Sequence, residues 1–136
     1  MGANEMKKLF FLILINIIYI TPVWADRWTL VTTSEVDTKI YVDKSSIRSE
    51  GNKVFWLQLD SYAKKMDVEN ETIFSSVGKI EGDCLKMARR DLYVSYHEKK
   101  MGKGKIVFED TETSEWVYNR LGSVWYITLN YVCKKK

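Results

Sequence analysis

From residue 26 onward the chain keeps one rhythm: a short run of β-branched and aromatic residues, then a break of Gly, Asn, Asp or Ser. DRWTLVTTS (26–34), TKIYVD (38–43) and the strongly apolar VFWLQLDSYA (54–63) each read as a strand. TIFSSVGKIEGDCL (72–85) carries a fourth around 75–84, and KMARRDLYVSYHEK (86–99) a fifth. IVFED (106–110) and EWVYN (115–119) are shorter strand-like pieces. Between them, KSSIRSEGNK (44–53) reads as a polar break with Gly51-Asn52 as turn chemistry, KKMDVENE (64–71) as a loop, and MGKGK (101–105) as a flexible turn. Strands this close together, with turns this frequent, argue for an antiparallel sheet rather than βαβ units. A chain of 136 residues without repeats or linkers is one domain at most.

The last segment, GSVWYITLNYVC (122–133), reads two ways. Its β-branched and aromatic content says strand. Its position says helix: Ser123 after Gly122 is a good N-cap, and Trp125, Leu129 and Val132 or Cys133 share one helical face. Lys134, Lys135 and Lys136 would then oppose the negative end of the helix dipole. Local pattern does not choose between the two.

The first 25 residues read as a separate element. Lys7 and Lys8 form a positive region ahead of LFFLILINIIYI (9–20), an apolar run too short to cross a ~30 Å hydrocarbon core comfortably. Pro22 breaks the run, and Val23 and Ala25 stand where a cleavage site needs them. The expected division is a signal peptide over 1–25, with Met6 as an alternative start, and a mature domain over 26–136. The rival reading is an uncleaved anchor. No cysteine closes the apolar run to accept a lipid. The expected destination is the periplasm, the exterior or the cell surface, with no stable membrane insertion after cleavage.

The formal net charge of +3 is too close to neutral to support bulk nucleic-acid binding. A domain this small buries only about 60–70% of its unfolded surface and is modestly stable without help. Two cysteines in an exported chain suggest one source of help. Cys84 and Cys133 are also open to a redox reading. A structural zinc needs four Cys/His ligands, and with His97 the chain offers three. His97 lacks an evident nucleophile and orienting acid and sits by a Lys/Gly turn, so it reads as an exposed surface histidine. Asp43, followed by Ser45 and Ser46, reads as a turn cap. Alternation sends Arg89 and Arg90 to opposite faces. One is expected to pair with Asp83, Glu81 or Asp91, and the other to face water. Lys86, Arg89, Arg90, Lys103 and Lys105 form the candidate basic patch for an acidic partner. Trp28, Trp56, Trp116 and Trp125 are expected mostly in the core, with one or two rings free for an interface.

Several of these pieces in order resemble the surface-adhesin protein E family of Gram-negative bacteria: W-T-L-V from Trp28, IYVDKSSI (40–47), GNKVFWLQLDSY (51–62), GDCLKMARR (82–90), MGKGKIV (101–107), Trp116 and GSVWYITLNYVC (122–133). The resemblance implies an α+β, mainly β fold, with an antiparallel sheet of about six strands and a C-terminal helix on its concave face. It also implies a Cys84–Cys133 disulfide tying that helix to the sheet. Two departures stand out. Leu121 replaces the proline that usually precedes Gly-Ser, and the lipid-acceptor cysteine of the family's best-known adhesin is missing. The function expected is an exported, non-enzymatic binding protein without cofactor or metal, contacting a host matrix or plasma protein or an acidic polysaccharide. The alternative is a periplasmic accessory domain with an envelope partner. Exposed strand edges also make a homodimer an option.

Overall fold

A computed structural model of the protein describes residues 27–136. The signal peptide read at 1–25 lies outside them. Seven strands form one antiparallel sheet: β1 (Thr29–Thr33), β2 (Lys39–Glu50), β3 (Lys53–Val68), β4 (Glu71–Asp83), β5 (Ala88–His97), β6 (Ile106–Asp110) and β7 (Val117–Tyr118). The first six lie side by side in chain order. β6 pairs with the C-terminal half of β5, and β7 with its N-terminal end at Ala88 and Arg89. A helix, α1 (Val124–Lys135), closes the chain. This is the α+β, mainly β architecture expected.

Two segments read as breaks are strand. KSSIRSE belongs to β2, whose pairing with β3 shifts register between Asp43 and Arg48. The turn follows at Gly51-Asn52, where Gly51 takes a φ of 60°. KKMDV extends β3, and ENE turns into β4 through Glu69 and Asn70, both at positive φ. That two-residue turn suits the twist of a hairpin. Residues 63–67 are exposed, and the extension pairs with β4 from Met66 onward, opposite the fully buried Ile73; its own polarity hides it from a pattern reading.

Asp43 sits at the β2 irregularity rather than in a turn. Its carboxylate accepts from Ser45 N–H at 3.0 Å and from Arg27 Nε at 3.0 Å, while Ser46 Oγ donates to the Asp43 carbonyl. Burial works against ionisation here, and the Ser45 and Arg27 hydrogen bonds outweigh it, holding the carboxyl below its usual range.

The ambiguous segment is helix. Gly122, at φ 83°, makes the turn into it, and Ser123 Oγ accepts from Tyr126 N–H at 3.2 Å. Lys134 and Lys135 occupy the last turn. Packing decides against strand propensity: Leu129 and Val132 are fully buried against Val42, Val54, Trp56 and Ile80 of the sheet. The close approach depends on Gly82, where a Cβ would lie 2.5 Å from Leu129 Cδ1. Cys84 and Cys133 are bonded, with Cα atoms 5.8 Å apart, joining the end of β4 to the last turn of α1.

The opposite face of the sheet is covered at one end by the chain around a 3-10 turn, Lys100–Gly102. Ser75 Oγ donates to the Lys99 carbonyl, Gly102 N–H donates to Ser75 Oγ, and Met101 N–H donates to Ser61 Oγ. A Cβ on Gly102 would lie 3.0 Å from Val77. The MGKGK segment is therefore pinned to the sheet. His97, the register partner of Ser75, is buried at this same end, with only 8% of its surface exposed. The exposed-histidine expectation is thus corrected. Burial pushes its pKa down. Its Nε2 lies 2.9 Å from Ser95 Oγ, which also donates to the Val77 carbonyl, and Nδ1 has no partner among the described residues.

Candidate functional site

Strand alternation puts Val54, Trp56, Gln58, Asp60 and Tyr62 on the helix side of β3. The first two pack under α1. The next three run out past its N-terminal end, where the face is polar. Ser76 of β4 and Arg89, Asp91 and Tyr96 of β5 join them around a cavity of about 190 Å³, walled by Trp125 from the first turn of α1.

Hydrogen bonds order this cavity from the core outward. Trp56 Nε1 donates to Gln58 Oε1 at 3.2 Å, and Gln58 Nε2 donates to Asp60 Oδ1 at 2.8 Å. Tyr62 donates its hydroxyl to Ser76 Oγ at 2.9 Å. The Arg89 guanidinium lies 4.0 Å from the centre of the Trp125 ring, and its Nη1 is 3.4 Å from Asp91 Oδ1. Its Nε is buried with no acceptor among the described residues.

The electrostatics follow from burial. Desolvation pushes the Asp60 carboxyl up to about 6, against the opposing help of the Gln58 hydrogen bond and the Arg89 charge. Desolvation also lowers the Arg89 pKa and raises the Tyr62 hydroxyl to about 12. Folding thus raises the Asp60 pKa above its ordinary 3.8, so the folded protein binds this proton more tightly than the unfolded chain. Its contribution to stability is greatest below the unfolded value and falls as pH rises through the folded one. Asp60→Asn should therefore raise stability by about 1–3 kcal/mol near neutral pH, with the gain vanishing near pH 4. Urea titrations of both proteins at the two pH values measure it. An equal difference at both would show that the carboxylate charge is not the cause.

Across the sheet, the Trp116 ring lies 4.3 Å from Lys53 Nζ and 4.6 Å from the Arg90 guanidinium. Arg90 pairs with Glu81, and Lys53 with Asp83 at 3.1 Å. Asp83 also accepts from the Lys86 and Leu85 N–H groups. The Lys86 backbone hydrogen bond leads, with Lys53 and Leu85 adding to it against burial, in holding that carboxyl low.

The expected basic patch does not assemble. Arg89 and Arg90 are both engaged on opposite faces, so neither is the free, water-facing arginine expected. Lys86 stands on the β4–β5 turn, whereas Lys103 and Lys105 stand beyond the other end of β5. Among the tryptophans of the described residues, Trp56 alone is buried; Trp28, Trp116 and Trp125 each lie beside a cation.

The exposed large side chains near Lys86 are apolar. Asn119 N–H donates to the Met87 carbonyl, which lays residues 117–121 beside the β4–β5 turn. Leu85, Val117, Tyr118 and Leu121 are exposed there, Tyr118 by 68% and Leu121 by 78%. Sequence reading singled out Leu121 only as a departure from proline. The exposed group could have been sought in the short β7, which has neighbours too polar to bury it.

A family model for surface-adhesin protein E matches residues 28–134. No curated protein sequence matches the chain significantly. The fold is similar to that of solved structures of Haemophilus influenzae protein E. The selenomethionine form superposes with a TM-score of 0.62 at 11% identity, over 80% of this chain and 87% of that one. Protein E from non-typeable H. influenzae gives 0.58 at 12% identity, over 84% and 80%. At such identities the structures speak for the fold alone, and it is the family model, spanning the sheet, the helix and both bonded cysteines, that places this chain in the surface-adhesin protein E family.

Proposed function

We propose that the mature chain is an exported, non-enzymatic binding protein that docks another protein, a host matrix or plasma protein, through the end of the sheet locked by the disulfide. The observation that carries this reading is the exposure of Leu85, Val117, Tyr118 and Leu121 at this end, with Val117 and Tyr118 on opposite sides of β7. These residues sit on backbone fixed by the β5–β7 pairing and the Met87–Asn119 hydrogen bond. Apolar and aromatic side chains held on a rigid frame lose little entropy on contact and form the centres of interfaces. Lys86 and Arg120 border them, which adds a charge-dependent approach to an acidic partner.

Saturable binding to immobilised laminin, vitronectin or heparin at micromolar concentration tests this. Tyr118→Ala with Leu121→Ala should weaken it at least about tenfold, with the melting temperature unchanged, because truncating two central contacts typically costs more than about 1.4 kcal/mol. Absence of binding would end the adhesin reading. Protease shaving of intact cells separates location: protection until the outer membrane is opened would put the partner inside the envelope.

A further inference from the structure

We propose that the cavity between the first turn of α1 and the surface of β3–β5 binds a small organic cation, a primary ammonium or guanidinium group, with Asp60 as its anionic receptor. This stands apart from the protein-contact reading and uses none of its residues. The first argument is charge. The cavity brings two carboxylates, Asp60 and Asp91, against one guanidinium. Arg89 is already engaged by Asp91 and by the Trp125 ring. Asp60 has one hydrogen-bond donor among the described residues, the Gln58 amide on Oδ1, and its Oδ2 has none. An anion entering here would meet two carboxylates, whereas a cation meets an under-paired one.

The second argument is the walls. Tyr62, Tyr96 and Trp125 line the cavity, and aromatic faces attract cations, more so where water is excluded. The third is room. A volume of about 190 Å³ well exceeds the share of one water, about 30 Å³, and can take an alkylammonium head with part of its chain. Keeping an under-paired carboxylate in such a place is costly to the fold, which is the pattern of a binding group rather than of a packing one.

The charged and titratable groups around Asp60 are Arg89 and Asp91 of β5, Tyr62 of β3 and Tyr96 of β5, with Asp110 of β6 beyond Tyr96. The Asp60 proton comes off near pH 6. Cation binding should then weaken about tenfold from pH 7.5 to pH 5, as Asp60 becomes neutral.

The folded, disulfide-bonded protein can be titrated with n-butylammonium, with Nα-acetyl-lysine methylamide and with acetate, following the NMR signals of the Trp125 indole and the Gln58 amide. Both amines are expected to shift these signals saturably at pH 7.5, with the pH dependence above, and acetate to leave them unmoved. Tighter binding of the lysine derivative would identify the source as a partner's side chain; equal or weaker binding would identify a free amine. Asp60→Asn should abolish binding while keeping the fold. The proposal is overturned if the amines cause no saturable shift at pH 7.5, if acetate binds in their place, or if folded Asp60→Asn binds them as before.

Discussion

Replacing Cys84 and Cys133 together by serine should lower the free energy of unfolding by about 4 kcal/mol, the loop-closure entropy expected for cysteines 49 positions apart. Against a typical domain stability of about 5–15 kcal/mol, that is a large share. The loss should not be spread evenly. A helix as short as α1 is marginal in water by itself, and its fully buried apolar side chains are few, Leu129 and Val132. Without the bond, α1 should detach before the sheet melts. Urea denaturation measures the total, and hydrogen exchange of α1 amides against those of β3 and β4 measures the order. A loss under about 1 kcal/mol, or helix and sheet exchanging together, would show that packing alone holds α1.

Leu129→Ala should cost about 3 kcal/mol, in the range for a fully buried leucine whose neighbours cannot close the gap. Gly82→Ala attacks the same contact from the other side. Its new methyl would lie 2.5 Å from Leu129 Cδ1, with Trp56 at 3.0 Å and Val54 at 3.1 Å, a misfit expected to cost on the order of 1–3 kcal/mol. The two should not add. In the double variant the alanine at 82 occupies space vacated by the leucine, so the combined loss should fall short of the sum by about 1 kcal/mol or more. A double-mutant cycle by denaturant titration reads this directly. Additive losses would mean that α1 shifts away from Gly82 rather than clashing.

The architecture was largely legible because its causes are local. The two-residue turn at Gly51-Asn52 and the run in VFWLQLDSYA mark the β2–β3 hairpin and β3 without any tertiary knowledge. The closing helix was not legible from its own residues. GSVWYITLNYVC has strand propensity and a helix cap at once, and what decides is burial of Leu129 and Val132 on the sheet, a contact between segments remote in sequence. Resemblance supplied that contact and the disulfide.

The polar extension at residues 63–67 was missed for the converse reason: its own side chains are exposed and carry no apolar alternation to read. The cavity left a trace that could have been followed. Along β3 the inward positions change from Val54 and Trp56 to Gln58 and Asp60, a polar switch on a face that should stay apolar if helix or core covered it throughout. The residues of the candidate basic patch stand at both ends of one strand. A strand of ten residues carries its ends about 30 Å apart, and Lys86 and Lys103 lie beyond opposite ends of β5.

The neighbour-to-neighbour order of the first six strands sets a timetable for folding. Each hairpin needs only the strand just made, so pairing can follow the chain as it emerges, with short loops to close at each step. The helix must return across the sheet, to β1, β2 and β3. Cys84 therefore waits as a thiol at the rim of a nearly finished sheet until the last residues arrive. Oxidation is then expected late in assembly, because the partner sulfur lies in the last turn of α1.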